Sequence, residues 1–127
     1  MGYTHYIQPT RNLTDQEWAT LTAQVKQILD GSTVPLAGWD GTGKPEVSTE
    51  RISFNGVNDD SHESCVINRE ETGFSFCKTA RKPYDYIVGA VYLAFQEIHG
   101  SSILSSDGDL NGEEWLDARE LFNRITS

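Results

Sequence analysis

A single α+β domain, with a largely antiparallel sheet of about four to five short strands packed with three helices, is the fold predicted by this 127-residue sequence. Three observations carry that expectation. Apolar residues recur at helical spacing in two long segments and again near the end. Short β-favouring runs bounded by turn residues lie before, between and after them. The composition, 37% hydrophobic with 3 Trp, 5 Tyr and 5 Phe, supplies one core at a length typical of one domain.

Tyr3-Thr4-His5-Tyr6-Ile7, rich in aromatic and β-favouring residues and ended by Pro9, reads as a first strand. Thr14-Asp15-Gln16-Glu17 is a capping-box pattern with Leu13 and Trp18 placed as a hydrophobic staple. Trp18, Leu21, Val25 and Ile28 then keep helical spacing until Gly31. Residues 31–50 hold four Gly and two Pro and read as an irregular surface loop, with Trp39 at its middle expected to plug the core, an exposed recognition residue being the alternative. Ile52 to Asn55 alternates as a strand. Ser64 to Asn68 and Gly73 to Lys78 read as a hairpin turned by residues 69–72. Its register opposes Val66 to Phe76 and Cys65 to Cys77, the last two as reduced thiols. A central helix is expected from Pro83, carrying Tyr84, Ile87, Val88, Val91, Phe95 and Ile98 on one face and ending at His99-Gly100. Ile103 to Ser105 reads as a short buried strand. The last helix carries Trp115, Ala118, Phe122 and Ile125. Trp18, Ile87, Val91, Phe95, Trp115 and Phe122 are expected to share the core.

Ten Lys and Arg against nineteen Asp and Glu give a net charge of −9, which disfavours broad nucleic-acid binding because phosphates meet net repulsion. A basic protein partner, or mimicry of DNA by an acidic surface, is the opposite implication. No apolar run approaches the ~20 residues that span a bilayer. The opening residues carry no secretion signal, and two cysteines are too few for a disulfide scaffold. A soluble cytoplasmic protein, in the bacterial host if phage-encoded, is the expectation.

Several phrases together carry a likeness: Gly2-Tyr3-Thr4-His5-Tyr6, Ile52-Ser53-Phe54-Asn55-Gly56 with His62-Glu63, the run from Phe76 to Asp85, Ser105-Ser106-Asp107-Gly108, and Trp115. Over nearly the whole chain the sequence resembles a family of small uncharacterised proteins of phages and bacteria. The resemblance implies a phage or mobile-element origin and brings no activity with it. Ile7 stands where such a protein would carry Trp.

Three constellations are candidates for chemistry. Lys78, Arg81 and Lys82 crowd three of the ten cations into five positions before a helix start, where the dipole disfavours cations. With the Thr79 hydroxyl they are the ingredients of a phosphate or carboxylate site, and Tyr84 or Tyr86 can stack on a base. Neutralisation by Asp85 and other surface acids is the competing reading. Asp107, Asp109 and Asn111 match the start of a calcium loop, but position twelve is Ala118, so capping of the last helix by Asn111 with Glu114 competes with a metal. His5, His62 and Glu63 are weak acid-base candidates without diagnostic spacing. No cofactor is implied by any motif.

The leading expectation is a non-catalytic, phage-encoded counter-defence protein that sequesters an anionic, phosphate-bearing ligand or blocks a host protein. The alternatives are a small enzyme acting on a phosphate ester or nucleotide, with His5 or His62 moving protons, and an acidic DNA mimic.

Overall fold

In the computed structural model, which describes residues 3–70 and 75–126, two antiparallel sheets and three α-helices share one core. The α+β class is therefore as expected. The first sheet places β1 (Thr4–Ile7) between β6 (Ser75–Lys78) and β7 (Leu104–Ser106). His5 lies opposite Cys77 on one side and Ser106 on the other; Tyr6 lies opposite Phe76 and Ser105. Strand alternation then sends His5, Ile7, Cys77 and Leu104 inward, where all are buried. The outer edge of β7 is partly closed by a side chain, since Gln96 Oε1 accepts from the Ile103 and Leu104 N–H groups, both at 3.0 Å.

The second sheet is built on β4 (Arg51–Gly56), which pairs with β2 (Leu36–Ala37), β3 (Glu46–Val47) and β5 (Cys65–Asn68). The expected hairpin between the segments holding Cys65 and Cys77 is corrected here. Strand β5 pairs with β4, opposing Cys65 to Phe54, whereas β6 pairs with β1, opposing Cys77 to His5. An alternating pattern fixes which face of a strand is buried but not which strand it joins. The expected turn lies partly outside the described residues. Both thiols are free and buried, and they still meet across the junction of the two sheets. Hydrogen bonding from Cys65 is the largest of the effects that push the Cys77 thiol up, with burial adding to it.

Helix α1 (Asp15–Asp30) carries the expected capping box, with Glu17 N donating to Thr14 Oγ1 and Thr14 N to Glu17 Oε1. Arg11 grips the same carboxylate at 2.7 and 2.9 Å, which with the Thr14 backbone holds the Glu17 carboxyl down to about 2. Helix α2 spans Asp85–His99, beginning two residues later than Pro83, because Pro83 and Tyr84 form a turn that feeds it. Gly100, at φ 89°, ends it in the left-handed conformation that glycine tolerates. A 3₁₀ turn (Glu113–Trp115) leads into α3 (Leu116–Thr126). Gly89 lets α2 and α3 approach, since a Cβ there would press on Ala118 Cβ and the Trp115 ring. Trp18, Ile87, Val91, Phe95 and Trp115 are buried together as expected, with Phe122 packed at the margin. No helix among the described residues is long and apolar enough to cross a membrane.

His99, buried at the end of α2, stacks on Phe95 and accepts the Thr10 N–H at Nε2, 3.3 Å away. Burial, then the Arg11 charge, lowers its pKa. Unfolded histidine takes up its proton near pH 6.5 while the folded ring resists, so the unfolded state binds more protons below that pH. Stability should therefore hold above about pH 6.5 and fall as pH drops below it, with a shallower fall in His99→Gln. Urea titrations of both proteins across that window check it; parallel slopes would remove His99 as the cause.

Candidate functional site: a histidine network under a basic loop

The sequence places polar residues at inward positions of the first sheet, and they find one another. His5, 1% exposed, receives Ser106 Oγ at Nδ1 (2.7 Å) and Asp85 Oδ1 at Nε2 (2.8 Å). Thr79, fully buried, donates its hydroxyl to the same Asp85 oxygen. Ser106 Oγ is also approached by the Gly108 N–H at 3.0 Å and the Trp115 Nε1–H at 3.2 Å. Those two groups can only donate, so they occupy the lone pairs of Oγ. The single hydroxyl proton of Ser106 then points to His5 Nδ1, which accepts, leaving Nε2–H to donate to Asp85. Edge-on contacts from Tyr3 (5.1 Å between centroids) and Trp115 (4.7 Å) hold the imidazole in place.

Above this network runs the basic loop. Ala80 and Arg81 both lie in the left-handed region, at φ 51° and 57°, an uncommon pair of non-glycine residues. The turn lays the Arg81 guanidinium over the Tyr3 ring, 4.1 Å from its centroid, and against Glu114 Oε2 at 2.7 Å. Tyr3 Oη is buried against Gly108 beside Ser106, in no well-formed hydrogen bond. Burial, foremost, raises its pKa.

The remaining sequence candidates are dispersed. Lys82 Nζ turns away to the Asp59 carbonyl at 3.0 Å, and Lys78 Nζ lies over the Phe76 ring. Tyr84 is wholly buried with its hydroxyl on the Glu63 carbonyl, so its ring has no free face for a base. The exposed His62 ring stands outside the network, its backbone held on both sides by the Asn55 amide. Glu63 Oε1 accepts the Lys78 N–H at 3.0 Å.

In the 107–112 turn each acid has a local task. Asp107 accepts from Thr4 N and the Tyr6 hydroxyl, and Asp109 accepts from Asn111 N. Among the described residues no three His, Cys, Asp or Glu side chains converge as a metal site. Asn111 does not cap the last helix: Gly112 holds the N-cap of the 3₁₀ turn that leads into it, without a side-chain bond, and Arg119 Nη1 secures the 107–112 turn through the Leu110 and Gly112 carbonyls. Trp39, expected to plug the core, is 69% exposed; its loop is pinned instead by Asp40 to Thr42 and by Asn55 to the Trp39 carbonyl.

Ser106 and Asp85 are the functional candidates that sequence reading passed over. Ser106 is separated from His5 by 101 positions and Asp85 by 80, so no local spacing links them. The one available signal is alternation, which puts Tyr3, His5 and Ile7 on the buried face of β1. Comparison with protein-family models, curated proteins and solved structures finds no match to the chain.

Proposed function

We propose that the chain is a binding protein that takes up a phosphate-bearing anion at Arg81. The observation that supports this most is the paired left-handed backbone of Ala80 and Arg81, which holds a side chain 61% exposed flat on Tyr3. Backbone of this kind persists only where its surroundings impose it, and it concentrates at ligand clamps. Glu114 then holds the place of the ligand's anion. Exposed ion pairs contribute little in water, so a phosphate offering paired oxygens to the guanidinium can displace it.

Phosphate, sulfate or a nucleotide should therefore raise the melting temperature, less so at high salt. Arg81→Ala should weaken binding by about tenfold or more, while Glu114→Gln, which removes the competitor, should tighten it. No thermal shift with any of these anions would overturn the reading.

Blockade of a host protein is the second reading, favoured by the exposed Trp39 on its pinned loop in a chain of net charge −9. Aromatic side chains of this kind anchor protein interfaces, and the acidic surface suits a basic partner. Either role fits a phage-encoded counter-defence protein, which would remove a phosphate-bearing signal in the first case and occupy a host surface in the second.

A further inference from the structure

We infer that the hollow beside β7 is a binding site for a neutral saccharide, separate from Arg81 and independent of the anion reading. It opens between the chain that follows β1 and the chain that runs into β7, with a volume of about 470 Å³, within the range of small-molecule sites. None of its nine lining residues is charged, in a chain whose charged residues make up 23%. Hollows elsewhere differ: one beside α1 is lined in part by Asp15, Lys26 and Arg69, and one beside α3 by Asp117, Glu120 and Arg124.

The hollow has an apolar floor and a polar rim. Pro9, Ile103 and Leu104 are buried at its base. That base is fixed from two sides, because Gln8 N donates to the Ile103 carbonyl at 2.9 Å while Gln96 Oε1 accepts from Ile103 and Leu104 N–H. Tyr6 forms a half-buried wall, its hydroxyl anchored on Asp107. Around the rim stand the exposed side chains of Gln8, Ser101, Ser102 and Ser105, none hydrogen-bonded to another of the described residues. One amide and three hydroxyls therefore offer both donors and acceptors to a ligand.

This lining selects by charge and by polarity. An ionic ligand would give up water for no counter-charge, since Arg11, next in the chain to the lining, is already held by Glu17 and the His99 carbonyl. A wholly apolar ligand would cover the rim and leave its hydrogen-bonding groups unpaired. A sugar ring meets both demands, with C–H faces for the floor and wall and uncharged hydroxyls along its edge for the rim.

Titration of isotope-labelled protein with methyl glucoside, methyl galactoside and N-acetylglucosamine, followed by NMR, tests this. At least one of the three should move the backbone signals of residues 101–105 together with the Gln8 side-chain amide, whereas glycerol and inorganic phosphate should leave them in place. Gln8→Ala and Ser102→Ala, both at exposed positions, should each weaken binding about three- to tenfold. Added salt should not weaken it, because no charge takes part. A response to none of the sugars, an equal response to glycerol or phosphate, or affinity unchanged in both variants would overturn the proposal. A phosphate-induced thermal shift bears only on Arg81 and leaves this site to the sugar titration.

Discussion

Truncating Trp115 to Ala should lower unfolding free energy by about 3–5 kcal/mol in urea titration, the range for removing a large buried aromatic ring. The indole is 1% exposed and fills the space that Gly89 opens between α2 and α3. It also closes over His5 and donates to Ser106, so its loss leaves a cavity and removes one of the donors that set the direction of the network. Trp115→Phe removes the donor and keeps most of the volume. The difference between the two variants should therefore isolate packing from hydrogen bonding, with the Phe variant losing roughly 0.5–1.5 kcal/mol for the bond plus a packing increment. A loss under about 1 kcal/mol for Trp115→Ala would show that the α2–α3 contact is not central.

Phe95→Ala should cost a similar amount, about 3–5 kcal/mol, toward the upper part of that range. Its ring reaches both sheets, lining a small cavity of about 30 Å³ with Ile7 of β1 and with Val66, Ile67 and Asn68 of β5. Truncation would merge the vacated volume with that cavity, and residual volume is what raises the cost of such substitutions. It would also remove the stacking partner of His99, so the acid sensitivity of the variant should change as well. Denaturation at two pH values reads both effects; a small loss with an unaltered pH profile would mean that neither sheet depends on the ring.

Helices were the legible part of this fold because their signals are local. The Thr14 cap, the Trp18 to Ile28 face and the α2 stripe all lie within a few turns of themselves, and each took the expected place. The start of α2 came two residues late because proline fixes only its own φ, and Pro83-Tyr84 used it for a turn. Strand partners were not legible: Cys77 found His5 rather than Cys65, a choice made by tertiary packing. The site divides in the same way. His5, Thr79 and Arg81 stood out as residue types, whereas the bonds that unite His5 and Thr79 with Asp85 and Ser106 exist only once β1 lies between β6 and β7. Trp39 was misread because an indole between glycines can turn inward or outward, and here the loop's own hydrogen bonds decide.

The place of β1 at the centre of its sheet also sets a timetable for synthesis. Residues 4–7 leave the ribosome well before their partners, residues 75–78 and 104–106. At about 5–20 residues per second, an interval of roughly 5–20 s separates the first of these strands from the last. Until residues 75–78 are made β1 has no neighbour on either side, and His5 waits for Asp85 and then for Ser106. Helix α1 can form alone in that time because its contacts are local. The sheet and the network assemble together and late, closing a loop of about a hundred residues, so this half of the molecule is the one that most needs protection from wrong partners while the chain is being made.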